Sequence, residues 1–317
     1  MNKNPLLLYQ NKTPDAYSMI AGIEQSGLLF TEAFTWDALR NWIVTSNGLG
    51  VVTVQMDYTA GSAWVTATAY EIDDVVSISG VSYKALVAHT SGATSQPGVG
   101  SIWEVYWIED MPNIEMLVLG AHRHDASGFR FPGGAVQLQY WNGSAFVDCL
   151  AATNVTAKVN HPSIHEVSAH TPIAAAGVYS YQLTISGLQT SSDVALPELF
   201  VGPALVMPGI KYNYDALVEE WTGPKTTTES GRVYESALSR RYMPKPQFTL
   251  LDAAKTAEVE LFRENVLEER GVFWWFYDPL NDPETGFMMR HNGKNAPMPE
   301  VLPNGYSRFR LNMVEAV

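Results

Sequence analysis

The chain has 317 residues, with 20 Lys plus Arg against 33 Asp plus Glu and a formal net charge of −13. That balance excludes a nucleic-acid groove, which needs a basic footprint, and suits a water-facing, mutually repelling surface. Hydrophobic residues at 46% and aromatics at 11% supply real cores, so neither disorder nor a low-complexity linker describes this chain.

The length accommodates two or three domains of roughly 100–200 residues each. A single cysteine, Cys149, excludes an internal disulfide, and within Val147-Asp148-Cys149-Leu150 it reads as a small buried hydrophobe. Folding in a reducing cytosol is therefore expected. Leu6-Leu7-Leu8 is too short for a signal-peptide core, and no apolar run approaches the ~20 residues of a membrane helix. A soluble protein without membrane insertion is expected.

From the start, Met19–Ile23 and Gly27–Phe30 are short apolar runs, and Asp37–Ile43 reads as one helical turn or a loop. Gly50–Tyr58 is β-branched and partly alternating, a convincing strand. Residues 62–108 then follow a logic of their own. Trp64, Tyr70, Val75-Val76, Gly80, Tyr83-Lys84-Ala85, Ala88–Gly92 and Trp103 succeed one another in strand-and-turn order. Insertion between two strands is tolerated where a loop tip is exposed and its ends are close, so this block is expected to protrude.

The stretch Ile114–Pro208 organises the rest of the first half. Ile114–His122 is an apolar run closed by glycine before His122. Ala135–Trp141 alternates and leads into Asn142-Gly143, a hairpin signal because both turn positions need positive φ. Gly177–Gly187 alternates again, and Leu196–Leu205 makes a last short strand. Strands with Gly/Pro punctuation and no helical period predict a jelly-roll β-sandwich.

Beyond Val206-Met207-Pro208-Gly209 the texture changes. Gly231–Ser239 carries a strand-like alternation into Arg240-Arg241-Tyr242, and Pro246–Leu251 reads as a strand. Asp252 is a good N-cap for a helix from Ala253 to about Glu269, with Ala257, Val259, Leu261, Phe262, Val266 and Leu267 toward one face and Gly271 at C′. The dense aromatic strand Phe273-Trp274-Trp275-Phe276 must be buried on both faces or form an interface. Tyr306–Glu315 closes the chain as an alternating strand.

Three resemblances follow from these segments. The run Leu119-Gly120-Ala121-His122, then Val136–Ser144, Tyr179–Ser186 and Glu198–Leu205, resembles the galactose-binding-like (discoidin-type) jelly roll of bacteriophage tail proteins. Residues 62–108 resemble small three-stranded carbohydrate-binding modules of the chitin- and cellulose-binding type. The order strand, helix, aromatic strand, closing strand over 208–317 resembles the barrel domain of distal-tail and tail-tip proteins.

Together they imply a mainly β chain. Residues 1–61 and 109–207 would form the jelly roll, 62–108 an insert, and 208–317 a barrel-like α+β domain with one main helix. They further imply a structural, non-enzymatic protein of a phage tail tip or baseplate, made in the host cytoplasm and resident in the virion. It would assemble as a ring of copies joining tube to tip, with tube and hub proteins as neighbours and outer domains facing a host surface polysaccharide. Phe273, Trp274, Trp275 and Phe276 are the expected assembly surface. The alternative is a glycan-binding adhesin. Glycan-holding modules place adjacent aromatics just after the Tyr-x-Ala strand, since sugar C–H faces stack on flat rings. Here those positions are Val87-Ala88-His89, leaving Trp64, Tyr83 and Trp107 as the candidate contacts.

Reactive chemistry finds little support. His165-Glu166 followed by His170 is one residue too long for the His-Glu-x-x-His metal motif, and Pro162 and Pro172 argue against a helix there. His122 and His124 share a strand end, yet loop hydrogen bonding is the expected role. Asp73-Asp74, Glu109-Asp110 and Glu219-Glu220 are adjacent pairs, poorly placed to work across a cleft. No nucleophile elbow, P-loop or dinucleotide turn occurs. No cofactor and no metal are expected.

Overall fold

The structure is a computed structural model. It describes residues 4–24, 30, 34, 42–45, 50–120, 134–155, 162–187, 193–196, 198–208, 219–222, 225–227, 233–235, 239–281 and 286–316. The architecture is mainly β, with several antiparallel sheets and one main helix. The chain divides into two units, one of residues 11–202 and one joining residues 1–10 to 203–317.

In the first unit, a five-stranded sheet runs Phe146–Asn154, Ala135–Trp141, Val178–Ser186, Val51–Thr59, Ala16–Ala21. Facing it is a three-stranded sheet, Ser163–Glu166, Met116–Gly120, Glu198–Gly202. Period-two alternation explains the sandwich. Val52, Val54, Met56, Leu138, Tyr181, Leu183 and Ile185 point inward from one sheet and meet Leu117, Leu119, Leu199 and Val201 from the other in one core. Cys149 is buried there, its thiol donating to the Leu138 carbonyl at 3.3 Å, and burial pushes its pKa up to about 12.

Asn142-Gly143 does close a hairpin, but over the four residues Asn142–Ala145, and only Gly143 has positive φ (95°). The Asn142 carboxamide oxygen instead accepts from the amides of Ser144 and Ala145, both at 3.0 Å, which holds the turn from its side chain. The runs and loops placed at Gly27–Leu29, Asp37–Asn41 and His122–His124 lie outside the described residues.

The second unit contains a five-stranded antiparallel sheet ordered Leu205–Val206, Leu6–Leu8, Val272–Phe276, Gly286–His291, Met313–Glu315. Leu6–Leu8, expected with residues 1–61 in the jelly roll, pairs here with Val272–Phe276, because three consecutive apolar side chains suit a strand buried on both faces. The unit also holds the sheet Gln247–Leu251, Ser307–Arg310, Glu300–Val301, the helix Ala253–Phe262, and two strand pairs, Glu219–Thr222 with Ser239–Tyr242 and Lys225–Thr227 with Val233–Glu235. Asp252 caps the helix as its sequence predicts, accepting from the Lys255 amide at 2.8 Å. Val259, Phe262, Val266 and Leu267 are buried, whereas Leu261 is exposed.

Two details differ from expectation. The helix widens into a π-helical turn over Arg263–Leu267, and the left-handed residue that ends it is Arg270 (φ 55°), one position before Gly271. At Gly271 a Cβ would lie 3.3 Å from the Val266 carbonyl oxygen, a tight contact. Among the described residues no sheet closes on itself, so no closed barrel stands where one was expected over 208–317. Phe273 and Trp275 enter the unit's core with Phe262 and Phe248, and Trp274 and Phe276 stack on each other at 5.8 Å. All four are 0–3% exposed. The expected assembly surface is thus buried within one chain, since an all-aromatic strand in the middle of a sheet finds partners on both faces there.

Candidate functional site

The insert is where chemistry toward a ligand gathers. Its main sheet has four strands rather than the expected three: Trp107–Glu109, Val81–Ala85, Val75–Ile78 and Ser62–Ala63, the last running parallel to its neighbour. A two-stranded pair, Ala69–Tyr70 with His89–Thr90, sits beside it. Val75–Ile78 and Val81–Ala85 are joined by Ser79-Gly80, whose φ angles of 53° and 80° are those of a type I′ hairpin turn.

The module's core is aromatic. Tyr70, Val76, Tyr83, Ala85 and Trp107 are buried together, with Trp64, Trp103 and Tyr106 packed half-buried around them. The Trp107 indole meets Tyr70 edge-on at 5.2 Å, and its Nε1–H donates to the Ser95 carbonyl at 2.8 Å. Of the three expected sugar contacts, Trp107 and Tyr83 therefore do not face solvent. They are 1% and 6% exposed, because a domain this small needs its largest rings inside. Trp64 is half-buried, with its Nε1 buried.

Tyr106 was not among the expected contacts. Its ring packs against His89 at a centroid distance of 4.5 Å, and its carbonyl accepts from the Leu86 amide at 2.8 Å. After Ala85 the chain surfaces as Leu86, Val87 and Ala88, with the first two 43% and 47% exposed. Leu86 and Val87 are thus exposed, while Trp64, Trp103 and Tyr106 are each half-buried.

The insert does not simply protrude; it is docked on the sandwich. Ser82, 1% exposed, is the centre of the joint. Its amide donates to the Tyr179 hydroxyl at 2.6 Å, its hydroxyl accepts from the Gly61 amide at 3.1 Å, and its carbonyl accepts from the Asp110 amide at 2.9 Å. One residue therefore holds the entry strand, the exit strand and a sandwich strand. The Ser79-Gly80 turn adds a second contact: the Gly80 carbonyl accepts from Ala174 at 2.9 Å, and a Cβ at Gly80 would lie 2.8 Å from Ile173 Cγ2.

The histidines do not converge. His165 is buried and its Nε2 lies 2.7 Å from the Ser163 hydroxyl, while burial takes its pKa down to about 4. His170 Nε2 lies 3.0 Å from the Tyr181 hydroxyl and its Nδ1 faces the Ser168 carbonyl at 2.8 Å. Burial lowers its pKa, the Ser168 bond opposing. Among the described residues no three His, Cys, Asp or Glu side chains are grouped to hold a metal ion. His161 lies outside the described residues. Among the described residues, no helix is long and apolar enough to cross a membrane.

Residues 63–104 match the model of carbohydrate-binding module family 5/12. No curated protein and no solved structure matches the chain. The match covers the insert alone.

Proposed function

We propose that the chain is a non-enzymatic glycan-contacting protein in which a β-sandwich holds a carbohydrate-binding module at a set angle toward a surface polysaccharide. The observation that carries this reading is the family 5/12 module at residues 63–104, docked through Ser82 rather than hung on a linker. A fixed module favours contact with an extended, repetitive surface, because no orientational freedom is lost when many copies bind together.

The structural half of the proposal places the protein in the outer part of a phage tail tip or baseplate, with copies of itself as first partners. Its support is the order of segments along the chain. The buried strand Val272–Phe276 no longer supplies the assembly surface, so a ring would form through other residues.

Binding of the full chain to a glycan array, with Trp64→Ala and Tyr106→Ala as contact variants, tests the first half. Trp107→Ala does not serve as a binding control, since it removes core. Selective binding weakened by the two contact variants is expected; silence across all polysaccharides overturns the glycan reading. Sedimentation at rising concentration tests the second: a chain that stays monomeric alone and beside purified tail tubes removes the ring.

A further inference from the structure

We infer that the solvent face of the five-stranded sheet is a second binding site, for an uncharged polysaccharide chain that runs toward the module. The residues come from alternation. Opposite the buried Val52, Val54, Met56 and Leu138, Leu183, Ile185, the outward positions carry Thr53, Gln55, Asp57, Gln137, Gln139, Ser180, Gln182 and Thr184. Register aligns them into rows across the strands: Asp148 with Gln139, Gln139 with Gln182, Gln182 with Gln55.

The face is a lattice of hydrogen-bonding groups without a cation in these rows. Gln137 and Gln139 both donate to Asp148 Oδ1 at 2.8 Å, Ser180 donates to Asp57 Oδ1 at 2.7 Å, and Gln55 donates to the same atom at 3.1 Å. These bonds use one donor of each of Gln137 and Gln139, so each amide keeps a donor and a carbonyl for a ligand. Mutual bonding also fixes the rotamers before any ligand arrives, which lowers the ordering cost of binding.

Charge selects the occupant. Two carboxylates with no Lys or Arg among these outward positions repel an acidic glycan or a phosphate, whereas closely spaced donors and acceptors match vicinal hydroxyls. A ring pair closes one end. Trp141 and Phe146 stand opposite each other on this same face, both half-buried, with centroids 5.4 Å apart. Ring edges beside amides are what a sugar's mixed C–H and hydroxyl surface requires.

Position supplies the direction. The Trp141 carbonyl accepts from the Ile173 amide at 3.0 Å, and Ile173 lies against both Gly143 of the hairpin loop and Gly80 of the module. The aromatic end of the face thus adjoins the module's docking turn. Five strands at about 4.8 Å spacing give a face roughly 19 Å across, long enough for several sugar units.

The test is native-gel retardation of the full chain in soluble neutral polymers (hydroxyethyl cellulose, glucomannan, galactomannan), with alginate as the acidic comparison. Trp141→Ala and the double variant Gln139→Ala with Gln182→Ala probe the face; the double variant leaves the core untouched and guards against misfolding of the first. Trp64→Ala and Tyr106→Ala probe the module. Retardation by a neutral polymer that falls roughly fivefold or more in both face variants supports the site. Retardation lost only in the module variants overturns it while leaving the module reading intact. Equal retardation by alginate, no retardation by any neutral polymer, or face variants that change only the sedimentation of the protein each overturn it too.

Discussion

Tyr179→Phe isolates the joint between module and sandwich. The ring stays, so the sandwich core around Tyr58 and Tyr181 keeps its packing, and only the hydroxyl that receives the Ser82 amide is lost. Ser82 is 1% exposed, so water cannot replace that acceptor while the joint is closed. A buried donor left without a partner costs about 1–3 kcal/mol. Taking about 2 kcal/mol, the population with the module undocked rises roughly 30-fold. Hydrogen exchange reads this directly: the Ser82 amide is expected to lose about that factor of protection while amides of Val52 and Leu183 stay unchanged. In a unit of this size the same loss lowers Tm by about 4–8 °C if docking and folding are coupled. Cleavage near Gly61 and Asp110 should accelerate in parallel. Exchange at Ser82 within a factor of two of the parent would refute the reasoning, since the bond would then carry none of the docking.

Three further predictions concern burial. Trp107→Ala should cost about 3–5 kcal/mol by removing the module's central ring and orphaning the Ser95 carbonyl, seen as loss of the module's dispersed NMR amides while the sandwich persists. Gly286→Ala should destabilise the second unit by about 1–3 kcal/mol, because a Cβ there overlaps the Phe276 ring; denaturant unfolding checks it, and an unchanged midpoint would show that the ring is free to move aside. His165 should make the first unit acid-sensitive. Its pKa is lowered in the fold to about 4, so the unfolded chain binds the extra proton first. Stability is then full above about pH 6.5, falls on acidification toward pH 4 and is flat below, a loss on the order of 3 kcal/mol. His165→Gln should flatten that slope in urea titrations at stepped pH.

Strand Val51–Thr59 and strand Val178–Ser186 are legible because one face is buried and the other wet, which writes period two directly into residue type. The helix N-terminus is legible for a similar reason: Asp252 satisfies a backbone amide that nothing else does. The module's resemblance to its family was legible in the sequence, but which of its rings are buried was not. A tryptophan has the same letter whether it faces sugar or core, and only the closure of the sheet by Trp107–Glu109 against Val81–Ala85 buries Trp107. The unit to which Leu6–Leu8 belongs is not legible, because pairing between residues 6 and 276 leaves no local mark. The docking of Ser82 is likewise invisible, since it joins residues 97 positions apart.

The size of the module explains why the chain is built this way. A domain of about 45 residues buries a smaller share of its surface than a larger one and so commits its big rings to the interior. Tyr70, Tyr83 and Trp107 are used up in that role, leaving aliphatic Leu86 and Val87 where a flat aromatic surface would grip a sugar best. Contact area lost there has to come from elsewhere if the protein is to hold a polysaccharide. Docking through Ser82 and Gly80 sets the module beside the Trp141–Phe146 end of the sandwich. Two weak surfaces held in one orientation bind as one, because the second contact forms at high effective concentration. On that argument Tyr179→Phe should weaken polysaccharide binding without touching a single contact residue. Unaltered binding in a variant proven to undock would show that one surface suffices.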